Sequence, residues 1–330
     1  MSSPDERFLV TGALGCIGAW TVRALVDDGA PVTVFDVSDD ARRLRLIMTP
    51  DQLAEVEFEV GDITDLDALT AALDRNRITN VIHLAALQVP FCRADPALGA
   101  RVNVVGTVNV FEAVKRQART MAPIVYTSSV GMFGEDDVEP VTGRLAVGAT
   151  AHPINHYGVY KLANEGSAKV YAMDDGLDSV GLRPMTVYGV GRDQGMTSGP
   201  TKAIAAAVLG QPYVVAFGGA TLYQYTADVA RALIAASRSS LGGAQVFNLP
   251  GSLIDGPALV EAIQDAVPGA RDLIRFEPTL LPFPSAIDHD GIEALGPLPV
   301  IPFGDGVAES AAIFRRLAAE GRLDQAAHGI

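Results

Sequence analysis

Tyr157 and Lys161 stand four residues apart in the run HYGVYKLANE. On a helix that spacing puts both side chains on one face, one turn from each other. An ammonium there lowers the cost of ionising a phenol whose ordinary pKa is about 10. A phenol tuned this way can take or give a proton near neutral pH. Tyr and Lys are common residues, so the pair carries weight only through what the chain places around it. Tyr160, in the same run, reads as a packing or interface residue.

The elements that must position this pair begin with a glycine turn. Residues 7–11 form a short apolar run, followed by GALGCIG and then by AWTVRALVDDG, which has helical spacing. Strand, glycine turn and helix point a helix N-terminus at a phosphate. Gly12, Gly15 and Gly18 follow a GxxGxxG spacing and not the GxGxxG of the dinucleotide fingerprint. The physical roles are still open to them: a tight turn at Gly12, close approach of the backbone to a pyrophosphate at Gly15, and close helix–strand packing at Gly18. The plainer alternative is an ordinary strand-to-helix turn. Residues 31–36 make the next strand, ending in Asp36, placed where a carboxylate can accept hydrogen bonds from adenosine ribose hydroxyls. Asp39 and Asp40 would repel a 2′-phosphate, which favours NAD over NADP, although Arg42 and Arg43 lie close by.

The pattern repeats. Residues 56–60 alternate as a strand leading to Gly61, Asp62 and Ile63, and Asp65 is placed to cap a helix over DLDALTAALDR. Residues 80–84 form a fourth strand followed by Ala85 and Ala86; His83 within it reads as a satisfied core histidine. Helical spacing runs from Asp95 to Arg119, and residues 123–127 form a fifth strand ending at Ser128 and Ser129. A loop follows over 134–154, then the Tyr157 helix to about Asp175, and a sixth strand near 180–184. Strands alternating with helices at this rhythm imply βαβ units and an α/β fold, a doubly wound parallel sheet of Rossmann type. Ligands of such sheets sit at the carboxyl ends of strands. Gly12, Asp36, Asp62, Ala85 and Ser129 all fall at or just past such ends.

Residues 1–180 therefore read as a dinucleotide-binding domain that includes the Tyr157 helix. Residues 181–330 read as mainly a smaller substrate-binding lobe, with a late strand and helix returning to the first domain. The proline-rich stretch 278–304 is expected to wrap the surface or line a cleft, and a final helix closes the chain.

The chain has 330 residues, 48% hydrophobic and 19% charged, enough for a large core. A net charge of -14 argues against nucleic acid or an anionic membrane as partner. Cys16 and Cys92 make no disulfide framework, no metal is called for, and no secretory signal or membrane-length apolar run is visible, so a cytoplasmic location is expected.

TGALGCIG, Asp36, GDITD, HLAA, YTSSVGMFG and YGVYK, in that order, resemble an extended short-chain dehydrogenase/reductase, and more narrowly the NAD-dependent epimerase/dehydratase family. LRPMTVYG and QYTADVARAL extend the resemblance, which covers roughly residues 7 to 235. The resemblance implies that Gly12, Gly15 and Gly18 surround the pyrophosphate, with Leu14, Cys16 and Ile17 in the same turn. It implies that Asp36 holds the adenosine ribose and that Asp62 and Ile63 lie by the adenine. Leu84, Ala85, Ala86, Asn103, Thr127, Ser128 and Pro184 would line the rest of the cofactor. Ser129 matches the hydroxyl that binds the reacting oxygen, Tyr157 the acid/base, and Lys161 the residue that grips the nicotinamide ribose and lowers the Tyr157 pKa. Tyr157 would then take a substrate hydroxyl proton as the carbon gives hydride to the nicotinamide.

The sequence departs from the nucleotide-sugar pattern in two places. Thr186 stands where an Asn is usual, and residues 218–228 contain no basic residue to clamp a diphosphate. Arg192 and Lys202 are possible substitutes, Arg192 being the candidate for an anionic substrate group. Gln88, Met132, Thr186, Arg192 and Tyr223, with Ser129, are the expected substrate-binding residues. The leading expectation is hydride transfer between NAD and a secondary alcohol of a small sugar, sugar acid or polyol. The alternatives are an NAD-retaining sugar or nucleotide-sugar epimerase or dehydratase, and a non-catalytic NAD-binding regulator. Relatives often dimerise through the YxxxK helix and the long helix before it, which the apolar Val102, Val105 and Val108 would suit.

Overall fold

Short β-branched and aromatic runs alternate with amphipathic stretches, and in the computed structural model, which describes residues 5–139 and 143–323, they become strands and helices in that order. Residues 140–142 of the expected 134–154 loop lie outside the described residues. The first half runs β1 (Phe8–Thr11), α1 (Cys16–Asp27), β2 (Val32–Asp36), α2 (Arg42–Ile47), α3 (Pro50–Ala54), β3 (Val56–Val60), α4 (Leu66–Arg75), β4 (Asn80–His83), α5 (Val89–Ala94), α6 (Pro96–Ala100), α7 (Gly106–Lys115), β5 (Ile124–Thr127), α8 (His156–Asp175) and β6 (Ser179–Arg183). Then come β7 (Thr186–Tyr188), α9 (Gly199–Val208), β8 (Tyr213–Val215), β9 (Thr221–Tyr225), α10 (Thr226–Ser237), β10 (Ala244–Asn248), β11 (Ser252–Ile254), α11 (Gly256–Ala266), β12 (Ile274–Phe276) and α12 (Phe303–Ala319).

Seven strands form one sheet in the order β10-β6-β5-β4-β1-β2-β3, and every pairing in it is parallel. Strand alternation sorts the side chains. Phe8 and Val10 join the apolar cluster containing Trp20, Val22 and Leu25 of α1, while Leu9 between them joins Leu69, Leu73 and Phe111 on the other face. The strand order reverses between β1 and β4, and in such sheets the crevice opens there. Gly12 follows β1 and Ala85 follows β4, so both stand at that switch point.

The remaining strands form two minor sheets, β11-β9-β7 and β12-β8, and one apolar cluster joins Phe8 and Trp20 to Ile204, Leu259 and Phe314. Position 180 falls inside β6, and β10 pairs with β6 at the sheet edge. The 278–304 stretch packs on the loop beyond Ser129: Leu145 pairs with Ile287, and Arg144 meets Asp288 at 2.5 Å. Among the described residues no helix is long and apolar enough to cross a membrane.

The stretch from Asp95 to Arg119 departs from the even helix that its spacing suggests. Asp95 caps α6 by accepting from the Leu98 N–H at 2.9 Å, and Pro96 occupies the first turn, where its missing N–H costs nothing. Residues Arg101–Val105 then form a π-helical turn before α7 resumes α-geometry. A π-turn holds one residue more than an α-turn and leaves little trace in hydrophobic spacing.

Candidate active site

The glycine turn is built by contact. Gly12 has φ +65, and a Cβ there would lie 2.5 Å from the Ala85 nitrogen, so β1 and β4 approach too closely for any side chain. A Cβ on Gly18 would lie 2.4 Å from the Gly12 carbonyl oxygen, which keeps α1 tight on the turn. Gly15 caps α1 without a side-chain acceptor, and no acidic residue stands in the first turn. The first-turn N–H groups and the positive end of the helix are therefore left for an anion. Asp36, at the end of β2, accepts from the Leu14 N–H at 3.1 Å, which fixes the carboxylate beside the turn. Burial pushes the Asp36 carboxyl up, opposed by backbone N–H donors and by Arg43. Anion-binding helix end, side-chain-free backbone and acceptor carboxylate together fit a dinucleotide diphosphate and its ribose.

Around this frame the other expected cofactor residues divide. Cys16 and Ile17 begin α1 and are half-buried, whereas Leu14 is buried. Burial lifts the Cys16 thiol to about 11, so it stays protonated. Asp62 is exposed and accepts from the Thr64 N–H at 2.8 Å; Ile63 is buried, its carbonyl taken by Asn109 Nδ2 at 2.9 Å. Leu84, Ala85, Ala86 and Thr127 are half-buried at strand ends, and Pro184 is buried, its carbonyl accepting from the Val130 N–H at 3.0 Å.

Two residues expected along the cofactor turn inward instead. Asn103 lies in the π-turn, 1% exposed, with both halves of its amide spent on the Leu87 backbone at 2.7 and 2.9 Å. It pins the loop after β4. Ser128 is 2% exposed and donates to Glu165 Oε1 at 2.5 Å, while Arg183 forks onto Glu165 at 2.8 and 2.7 Å. Glu165 is one turn beyond Lys161 on α8, so this buried ion pair braces the helix from behind. The signal for it was present in the sequence as the Lys161 to Glu165 spacing, but its partner, Arg183, comes from a distant strand.

Ser129, Tyr157 and Lys161 converge at the rim of β5. Ser129 Oγ accepts from the Gly131 N–H at 3.0 Å, which leaves its O–H as the donor toward the Tyr157 phenol. Asn155 caps α8 through the Gly158 N–H at 2.9 Å, setting Tyr157 in the first turn. Burial pushes the Tyr157 phenol above its ordinary value; the hydrogen bond with Ser129 and the Arg192 charge pull it back without cancelling that rise. Lys161 Nζ lies 5.6 Å from the Tyr157 ring centroid and donates to the Thr127 carbonyl at 2.6 Å. Its own burial drives it down to about 8. A second cation, Arg192, lies outside α8 and its charge also favours the Tyr157 phenolate, a relation that no spacing within α8 could reveal.

Of the expected substrate residues, Gln88 and Arg192 both border Gly195: a Cβ there would lie 2.2 Å from Gln88 Oε1 and 3.2 Å from Arg192 Nη2. Arg192 also donates to Thr197 Oγ1 at 3.2 Å, and its Nε is buried without a partner. Met132, Thr186 and Tyr223 are buried away from this wall. Met132 packs with Val130, Phe133 and Ile287. Thr186 is 0% exposed and shares a hydrogen bond with Thr221 at 3.0 Å, which knits β7 to β9. Tyr223 sits edge-on to Tyr188 and Phe303, at 6.0 and 5.1 Å. Pairing β7 against β9 buries Thr186 and Tyr223.

Cys92, whose sequence context pointed to no role, is buried beside the dyad. Its thiol contacts the Leu87 carbonyl at 3.2 Å, and burial pushes it up against the pull of Lys161. His83 is buried between Thr11 Oγ1 at 2.7 Å and Thr107 Oγ1 at 3.0 Å, and its desolvation lowers it to about 3, so it is neutral at physiological pH. Tyr160 packs, donating to the Pro96 carbonyl at 2.8 Å.

The family model for the NAD dependent epimerase/dehydratase family matches residues 8–249. A UDP-glucose 4-epimerase of Mycolicibacterium smegmatis is 32% identical, over 94% of this chain and 98% of that one. The structure of the Thermus thermophilus UDP-glucose 4-epimerase in complex with NAD is similar at TM-score 0.78 and 26% identity, covering 94% of this chain and 99% of that one. A GalE-like L-threonine dehydrogenase from Cupriavidus necator is similar at TM-score 0.79 and 23% identity, covering 94% and 99%, a likeness of fold.

Proposed function

Since the chain belongs to the NAD-dependent epimerase/dehydratase family and is an NAD-dependent enzyme of the extended short-chain dehydrogenase/reductase type, we propose that it transfers hydride between NAD and a secondary alcohol carbon of a small sugar, sugar acid or polyol. The observation that carries this reading is the grouping of Ser129, Tyr157 and Lys161 at the end of β5: a Cβ on Gly131 would lie 3.2 Å from Ser129 Oγ and 3.8 Å from the Tyr157 ring, and Lys161 Nζ lies 5.6 Å from that ring's centroid. NAD, when bound, supplies the hydride acceptor. Tyr157 takes the hydroxyl proton, and the Ser129 O–H turns from the phenol to the same substrate oxygen and holds it. Lys161 gives one of its three N–H donors to Thr127 and keeps two for a ribose. The absence of a basic residue from 218 to 228 supports a substrate without a nucleoside diphosphate.

A second reading, an NAD-retaining sugar epimerase, is supported by the near full-length likeness to the Mycolicibacterium UDP-glucose 4-epimerase. One experiment separates the two. The purified protein is screened with NAD against sugars, sugar acids, polyols and UDP-sugars, reading NADH by absorbance and epimers by chromatography. Accumulating NADH supports the dehydrogenase; an epimer without NADH supports the epimerase.

A homodimer is part of the same proposal. Val159, Leu162, Val170 and Met173 form an exposed apolar stripe along α8, with Gly166 open in its middle. Leu98 and Val105 extend it onto the neighbouring helix. A glycine in such a stripe lets a second helix approach closely.

A further inference from the structure

The segment after β7 reaches back to the glycine turn through Asp193. Asp193, 5% exposed, follows a turn in which Gly189 and Gly191 have φ +131 and +93. Arg43 of α2 donates to it from Nε at 3.2 Å to each oxygen and from Nη2 at 2.7 Å. The remaining arm, Nη1, donates to the Leu14 carbonyl at 3.0 Å. The Leu14 N–H goes to Asp36 at 3.1 Å. One residue of the glycine turn is therefore held between the carboxylate at the end of β2 and this guanidinium, and the Arg43 charge is felt at Asp36. Arg42 pairs with Asp40 at 3.5 Å and reaches Asp193 only at 4.0 Å.

A carboxylate in this position accepts ribose hydroxyls and repels a 2′-phosphate, whereas an arginine beside it is the usual receiver of that phosphate. This chain has both residues, and the arginine is occupied on all three nitrogens. We propose that Asp193 is a determinant of NAD over NADP: by closing a bidentate pair on Arg43 it withholds the guanidinium that would otherwise receive a 2′-phosphate. Asp193 acts through Arg43, as a positioning residue supplied from beyond β7.

The inference rests on the reading that Asp36 receives the adenosine ribose, so the test carries a separate arm for that premise. Full-length protein loaded with NADH is titrated with 5′-ADP or 2′,5′-ADP, and displacement is read from NADH fluorescence. Asp193→Asn is expected to raise the ratio of 2′,5′-ADP to 5′-ADP affinity roughly 10-fold, the worth of about one charge-assisted hydrogen bond. In Arg43→Leu/Asp193→Asn that gain disappears. An unchanged ratio in Asp193→Asn, or a gain that survives loss of Arg43, overturns the proposal; a purely structural strut would move both affinities together. Should Asp193→Asn not fold, Arg43→Leu alone decides: an engaged guanidinium predicts a ratio within about twofold of the parent, and a larger selective loss of 2′,5′-ADP means the guanidinium was already free. Asp36→Asn tests the premise, being expected to weaken 5′-ADP and raise the ratio. If it changes neither, the ribose site is elsewhere, whatever Asp193 does.

Discussion

Lys161 Nζ donates to the Thr127 carbonyl at 2.6 Å, tying the helix that carries the phenol to the end of the strand that leads to Ser129. That bond fixes the spacing between Tyr157 and Ser129 more directly than any contact within α8. Tyr157→Phe keeps the ring and removes only the hydroxyl, so the expected result is a loss of turnover of roughly 10²- to 10⁴-fold with NADH affinity nearly intact. Steady-state kinetics beside a fluorescence titration checks both halves. Near-parental turnover would remove Tyr157 from its assigned role.

Arg192 offsets part of the rise that burial imposes on that hydroxyl. Its positive charge favours the phenolate, so removing it raises the Tyr157 pKa further above the ordinary value. In the oxidative direction activity needs the phenolate, and the limb of kcat/KM that rises with pH moves to higher pH in Arg192→Met. Profiles of parent and variant over the alkaline range make the comparison. Superimposable limbs would show that Arg192 does not govern the phenol.

Behind the dyad, Glu165 and Arg183 form a buried pair that also receives Ser128. Glu165→Ala strands a guanidinium in the interior and is expected to lower stability by about 3–5 kcal/mol. Glu165→Leu with Arg183→Met removes both charges and should cost much less. Denaturant unfolding of the two variants gives the difference; equal losses would mean that packing, not the stranded charge, is responsible.

His83 makes the fold acid-sensitive in a defined window. Unfolded, its imidazole binds a proton below pH about 6.5; folded, it stays neutral until about 3. Between those values the unfolded chain binds more protons, so stability falls as pH falls, by at most about 1.4 kcal/mol per pH unit from this group. Replacing the ring by a non-titrating one, as in His83→Phe, should flatten that slope whatever it does to absolute stability. Parallel urea unfolding series at several pH values would expose an unchanged slope.

The α8 stripe sets association. Val170→Glu and Met173→Lys place charges on residues that are 49% and 74% exposed, so folding of the single chain tolerates them. A dimer joined there becomes a monomer by sedimentation, and a chain that is already a monomer shows no change.

Much of this was legible in the sequence where the cause is local. β3 begins and ends where its alternation places it, and α8 ends at Asp175 as its pattern suggests. Gly12 and Gly18 follow from what a strand–turn–helix needs. Contacts between segments were not legible. Thr186 and Tyr223 are buried where β7 lies against β9, and Asn103 bonds the Leu87 backbone; each is a pairing between segments, which spacing along one segment does not encode. The same holds for Arg43 and Asp193, 150 residues apart.

The π-turn at Arg101–Val105 has a consequence for how this chain can vary. The extra residue advances everything after it by about 100° around the helix axis. It is what lets Asn103 point inward while Val105 stays 48% exposed, with Asn109 still aimed at the Ile63 carbonyl. Deleting one residue there would straighten the helix yet rotate its second half out of phase with the first. The loop after β4, the loop after β3 and the exposed stripe could not then all be served by one rod. Single substitutions can drift here, but length cannot.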